Sequence, residues 1–188
     1  MARTQDLPLA GGGHIFTNAR VLYRPLQVRG PPGEHLAQGA YAMTQAEIRR
    51  ATGRDGEAVR TLLKEAGLPV PGLTERLEHF LVAVREERVV GAIGLELYPP
   101  LALLRSAVVS TDERGHGTGA RLVQSIEDLA QFAGIQRLVL LTTTAEKFFA
   151  ARGYRVVDRG TITGPITSSA EFTGACPSSA VCMEKPLL

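Results

Sequence analysis

The chain has 188 residues, a formal charge of +2 and 44% hydrophobic residues, enough for one well-filled domain and something beside it. No run of 18 apolar residues marks a membrane span, and no basic cluster interleaved with aromatics marks a nucleic-acid surface. Nor does the N-terminus carry the apolar h-region of a secretory signal. The expectation is therefore a cytoplasmic protein in which Cys176 and Cys182 stay reduced.

Residues 1 to 42 differ from the rest, with six Gly and four Pro, among them Gly11 to Gly13 and Gly30-Pro31-Pro32-Gly33. They also hold four Arg against two acids, whereas residues 43 to 188 balance 17 against 17. No helical period lasts more than one turn, and only Ala19 to Leu26 reads as a short strand. The segment is expected to be a flexible or disordered arm. Met43 then offers either an alternative translation start or the end of a leader, and residues 43 to 188 are expected to form the folded domain.

From Glu47 the punctuation becomes regular. Ile48 to Ala51 reads as a strand, and Asp55 as the cap of a helix bearing Ala58, Val59, Leu62, Leu63 and Ala66, stopped at Gly67. After a loop at Pro69 to Gly72, Thr74 caps a short helix through His79. Phe80 to Val84 and Val89 to Tyr98 are strands joined by the polar turn Glu86-Glu87-Arg88, and Pro99-Pro100 breaks this pair from the next strand. Leu103 to Val109 is the central strand. A glycine-rich elbow, Arg114-Gly115-His116-Gly117-Thr118-Gly119, leads into a helix whose apolar face is Leu122, Ile126, Leu129 and Ala133, with Gly134 as the stop.

Arg137 to Thr142 reads as a strand buried on both faces. A helix follows, with Thr143 and Glu146 spaced as a capping box and Gly153 as its stop. Tyr154 to Val157 is a strand, Gly160 to Gly174 a long connection, and Ser178 to Met183 the last strand. This order predicts an α/β fold with a mixed sheet.

The elbow is the chemical centre of the chain. Three glycines in five residues remove the Cβ atoms that would hold a ligand off the backbone, at the positive end of a helix. A phosphate or pyrophosphate is the expected guest. A P-loop is excluded because no Lys follows these glycines, and the G-x-G-x-G spacing does not fit a dinucleotide fingerprint.

Arg-x-x-Gly-x-Gly after a strand resembles the coenzyme A loop of the GNAT acetyltransferase superfamily, and Phe148-Phe149-x-x-x-Gly153-Tyr154 resembles that superfamily's aromatic helix end. The resemblance runs from about Glu47 to Leu188. It implies the GNAT acyl-CoA N-acyltransferase fold: a mixed, mostly antiparallel sheet flanked by helices, with the coenzyme at splayed central strands. It further implies acetyl transfer from acetyl-CoA to an amine, without a metal. The amides of Val108 and Val109 would hold the pantetheine arm, Arg114, Gly115, His116, Gly117, Thr118 and Gly119 the pyrophosphate, and Phe148 and Phe149 would lie near the coenzyme. Leu103 and Phe149 stand where many members carry a Glu base and a Tyr acid. Glu96 becomes the candidate for orienting a water that takes the amine proton, with a solvated strand residue as the alternative.

Leu140 to Tyr154 (LLTTTAEKFFAARGY) is similar to the acetyltransferase domain of N-acetylglutamate synthase, which implies that the hydroxyl of Thr142, or of Thr143 beside it, protonates the leaving thiolate. The basic residue that reads the substrate carboxylate there corresponds to about Ser178. Across the domain, the chain is most similar to small acetyltransferases of arsenic-resistance operons, on Leu103 to Val109, LLTTTAE-x-FF and Glu171-Phe172 through Cys176 to Met183. The implied substrate is a small amino-acid-like amine, with arsenic or antibiotic resistance as the context.

Arg105, inside an apolar strand with the parity of Leu103, Ala107 and Val109, either binds a substrate carboxylate, arsonate or phosphinate or forms an ion pair with an acid such as Glu96. Ser106 stands next to it as a second substrate candidate. Cys176 and Cys182 lack a third ligand and read as inert, and His14, His35 and His79 have no ligand-spaced partners, so no metal site is expected. Two function classes stay open: the N-acetyltransferase, and a non-catalytic acyl-CoA-binding regulatory module that has lost its chemistry. A homodimer is compatible with either.

Overall fold

The computed structural model describes residues 45–70 and 77–187. The expected arm at 1–42, its short strand and the Thr74 cap lie outside the described residues. Seven strands make one sheet: β1 (Glu47–Arg50), β2 (Phe80–Arg85), β3 (Arg88–Tyr98), β4 (Leu101–Val109), β5 (Arg137–Thr142), β6 (Arg155–Val156) and β7 (Val181–Pro186). Their order is β1-β2-β3-β4-β5-β7-β6, and every pairing is antiparallel except β4 with β5. Among the described residues, three α-helices flank the sheet: α1 (Gly56–Glu65), α2 (Thr118–Phe132) and α3 (Glu146–Ala150). This is the mixed, mostly antiparallel sheet that the sequence predicts.

Each face of the sheet is closed by a different helix. Leu122, Val123, Ile126 and Ala130 of α2 pack on Leu81, Ala83, Ile93, Leu95, Ala102 and Leu104. Val59, Leu62 and Leu63 of α1 pack on Phe80, Val82, Ala92 and Val108 across the other face. There Gly94 is required, because the Phe80 ring lies where its Cβ would be, 2.4 Å away. Beside this cluster, Leu103, Val139 and Cys182 are covered by Ile162 and Ile166 from the long connection between β6 and β7.

Several expected boundaries move. Pro99-Pro100 does not separate β3 from β4; it makes their two-residue hairpin turn, and Tyr98 pairs with Leu101. The last strand begins at Val181 rather than Ser178, and the helix expected from Thr143 has only the five residues of α3. Its first turn is tied down by Thr142, whose Oγ1 accepts from the Ala145 amide at 3.0 Å, not by a Thr143–Glu146 box. Asp55 precedes α1 as expected but makes no side-chain cap to it. Its carboxylate instead takes a bidentate bond from Arg49 at 2.8 and 2.9 Å and two bonds from Thr52, which hold its pKa well below the usual carboxylate range.

Two features of the central strands set up the site. β4 and β5 pair only over Leu101–Leu103 and Arg137–Val139, and then diverge. Within β4, Val108 pairs with Ala92 and Arg105 with Gly94, so Ser106 and Ala107 together face the single residue Ile93. This is a β-bulge, and Ser106 adopts φ 56°, a left-handed conformation uncommon for a residue with a side chain. The bulge reverses the parity expected for Arg105. Arg105 and Leu103 lie on the α1 side with Val108, whereas Ala107 and Val109 pack on the α2 side.

Candidate functional site

The elbow joins the end of β4 to α2 through one tight helical turn, Thr111–Glu113. Gly115 (φ 85°) and Gly117 (φ 79°) are both left-handed, and nothing lies within 4 Å of a Cβ built on either. Gly117 is the N-cap of the 15-residue helix and offers no side-chain cap, so the amides of the first turn are not consumed by the protein's own side chains. A backbone free of Cβ atoms at the positive end of a long helix fits a pyrophosphate. His116 is exposed, its Nδ1 3.2 Å from the Glu113 carbonyl, and Arg114 donates to the Val109 carbonyl at 3.3 Å.

Three residues singled out in the sequence meet at the mouth of the β4–β5 divergence. A Cβ on Gly119 would lie 3.4 Å from the Phe148 ring and 3.6 Å from Val109. Phe148 thus bridges α3 to α2 and β4, with the Arg152 guanidinium 3.5 Å above its ring. Phe149 turns the other way, into the core, edge-on to Phe148 and to Tyr154. Thr142, half-buried at the end of β5, spends an oxygen lone pair on Ala145 and keeps its hydroxyl proton; Thr143 is exposed. Ser178 sits on the exposed turn leading into β7.

On the α1 side of the bulge lies a buried ionic cluster. Arg105, Glu96 and Glu171 are 4%, 5% and 4% exposed. Arg105 Nη1 donates to Glu96 Oε1, and its Nε lies 3.4 Å from Glu171 Oε1 and 3.3 Å from Ser106 Oγ. Tyr98 donates to the second Glu96 oxygen at 2.8 Å. Arg105 therefore forms the strand-to-strand ion pair that was one of its two expected roles, and Glu96 is not a solvated residue. Glu171, which the sequence reading passed over, arrives on the helical turn Glu171–Ala175.

Burial is the main cause that pushes the Glu171 carboxyl up to about 7; Arg105 opposes it and Glu96 adds to it. Because the folded pKa exceeds the unfolded one, the contribution to stability is complete below the ordinary carboxylate range and is lost as pH rises through about 7. Glu171→Gln mimics the protonated state. Between pH 5 and pH 8 the variant should gain on the parent by on the order of 2–3 kcal/mol in urea unfolding. A difference that stays constant over that range would show that Glu171 is ionised throughout.

Burial likewise pushes the Cys176 and Cys182 thiols up to about 11, so neither is a thiolate at neutral pH. Among the described residues, no group of three or more His, Cys, Asp or Glu is placed to hold a metal ion. Among the same described residues, no helix is long and apolar enough to cross a membrane. The sequence reading also missed Glu113, buried beneath the elbow, and Glu127, buried on α2 and paired with Lys185 Nζ at 2.7 Å. Both sit in stretches that read as solvated polar residues.

Comparison with known proteins agrees with this geometry. Residues 76–156 match the family model described as the acetyltransferase (GNAT) domain. The amino-acid acetyltransferase of Ralstonia nicotianae is 34% identical over 85 residues, 44% of this chain and 19% of that protein. The amino-acid acetyltransferase of Mannheimia succiniciproducens is 28% identical over 121 residues, 60% of this chain and 28% of that protein. The chain thus spans roughly a fifth to a quarter of the length of these relatives. Among solved structures, N-acetylglutamate synthase from Neisseria gonorrhoeae, complexed with coenzyme A and N-acetyl-glutamate, matches with a TM-score of 0.67 at 22% identity. That match covers 76% of this chain and 35% of that one. Rv2747 from Mycobacterium tuberculosis, in complex with CoA, matches with a TM-score of 0.66 at 23% identity, over 76% of this chain and 99% of that one. At these identities the structural matches speak for the fold.

Proposed function

We propose that this chain, which carries a GNAT acetyltransferase domain, transfers the acetyl group of acetyl-CoA to the amine of a small amino-acid-like molecule. The observation that carries the reading is the divergence of β4 from β5 beside an uncapped, Cβ-free elbow. The residues present fit the coenzyme: the amides from Gly115 to Gly119 for its pyrophosphate, those of Val108 and Val109 for its pantetheine arm, and Phe148 for its side. When bound, acetyl-CoA supplies an activated acetyl thioester.

The protein's part is then positioning and proton management. The strand amide of Val109 is the donor for the oxygen on which negative charge develops. Thr142, with its hydroxyl proton uncommitted, is the donor for the departing thiolate, and Thr143 lies too far toward solvent to be preferred. Ser106, at the bulge with its hydroxyl beside Arg105, is the candidate to meet the amine, while Ser178 stands at the entrance to β7. Glu96 would act on the amine proton through the Arg105 cluster in which it is held. Arg105 would meet a substrate carboxylate, phosphinate or arsonate only by sharing its guanidinium with Glu171. The amino-acid acetyltransferases among the relatives support an amino-acid substrate. The arsenic- or antibiotic-resistance context rests on the Leu103–Val109, LLTTTAE-x-FF and Glu171–Met183 resemblances.

A thiol-release assay across amino acids and their phosphinate and arsenical analogues tests this reading. Turnover of at least one amine, dependent on acetyl-CoA, is the expected result. CoA binding without turnover of any amine would favour the non-catalytic module.

A further inference from the structure

We infer that Glu113 and Thr118 form a positioning pair for the coenzyme loop, a role that rests on the acetyl-CoA reading above. Both are 2% exposed; Glu113 ends the turn ahead of the elbow and Thr118 lies within it. Thr118 is the first residue of α2, and its Oγ1 donates to Glu113 Oε1 at 2.6 Å. Arg85, at the end of β2, donates to the same oxygen at 3.1 Å.

A carboxylate placed just ahead of a helix normally accepts from the free amides of the first turn, because those amides and the helix dipole stabilise it there. Glu113 does otherwise. Its described bonds go to a hydroxyl and a guanidinium, and the helix N-cap, Gly117, makes no side-chain cap. The arrangement fixes the first residue of α2 from beneath while leaving the first-turn amides to point out of the elbow. Arg85 neutralises a buried negative charge that would otherwise oppose an anion above it.

The backbone of Glu113 reinforces this. Its amide donates to the Ser110 carbonyl at 3.0 Å, and its carbonyl meets the His116 ring. One residue therefore ties the end of β4, the left-handed glycines and the start of α2 to β2. Losing the Glu113–Thr118 bond frees the direction of the amides without touching the divergence where the pantetheine arm would lie. The pair sets affinity for the pyrophosphate half of the coenzyme and leaves the thiol half alone.

Thr118→Val keeps the shape of the side chain and every charge in the loop, so it isolates the bond. Displacement calorimetry should show CoA bound about 10-fold more weakly by this variant, the loss of roughly one charge-assisted hydrogen bond, with pantetheine affinity changed less than about twofold. Glu113→Gln retains an acceptor for Thr118 and removes a buried negative charge beneath the elbow, so it should keep CoA affinity within about threefold of the parent or tighten it. Unchanged CoA affinity in Thr118→Val, or equal weakening toward CoA and pantetheine, overturns the inference while leaving the acetyl-CoA reading intact. A parent that binds no CoA overturns both.

Discussion

Arg105→Met should destabilise the protein by roughly 3–5 kcal/mol at pH 8, the largest loss expected from any single substitution around the site. The variant removes the one cation that the described residues show between two carboxylates, each no more than 5% exposed. Methionine fills most of the volume, so the cost comes from charge rather than from a cavity. Two further expectations distinguish this account from a packing defect. The loss should shrink at pH 5, where Glu171 is protonated, because the buried carboxyl then needs no partner. The triple variant Glu96→Gln, Arg105→Met, Glu171→Gln should recover most of the stability, since neutral groups can bond one another without a desolvated charge. Urea unfolding with constant m-values is the measurement. A loss below about 1 kcal/mol at pH 8 would mean that the cluster is not closed in solution.

That cluster also marks where the sequence stops being readable. Arg105 stands out in any reading as a charge within an apolar strand, and Glu96 on the neighbouring strand is a natural partner. Glu171 is not, because it reaches Arg105 from 66 positions further on, through a Thr- and Ser-rich connection without periodicity. The bulge is harder still. Strand parity assumes one residue per partner, and nothing in the stretch Arg105-Ser106-Ala107 announces that two will face one. Ser106 takes a left-handed φ that Gly would have advertised. The turn at Glu86 and Glu87 lies where the polar residues place it, but its left-handed backbone, with φ of 48° and 62° on two residues that are not Asn or Gly, is not legible in the same way.

Local features fared differently. The elbow and the apolar stripe of α2 depend on residues within one or two turns of each other, and the spacing of Gly115, Gly117 and Gly119 carries its own physical meaning. The stripe is broader than its spacing indicates: Leu122 and Ile126 are buried and Leu129 packs against the core as expected, Val123, Glu127 and Ala130 are buried beside them, and only Ala133 is exposed. Glu127 would be a poor choice for a buried face without Lys185, which comes from the last strand.

Gly117→Asp should abolish measurable CoA binding, weakening it at least about 100-fold, or roughly 2.7 kcal/mol. Two effects act together. A side chain at this left-handed position stands in the open space of the elbow, where nothing now lies within 4 Å, and its charge repels a pyrophosphate at the end of the helix where an anion is otherwise stabilised. The backbone strain of replacing a left-handed glycine adds about 1 kcal/mol to folding but does not discriminate between bound and free protein. Gly134→Asp separates these contributions. Gly134 follows the same helix, has φ 76° and open space around its Cβ position, and so suffers the same strain at the end remote from the elbow. The two variants should therefore lose similar amounts of thermal stability without ligand, while only Gly134→Asp is still protected by CoA against heating. Equal protection of both would remove the elbow from the coenzyme site, and the acetyltransferase reading would then have to find its pyrophosphate elsewhere on the chain.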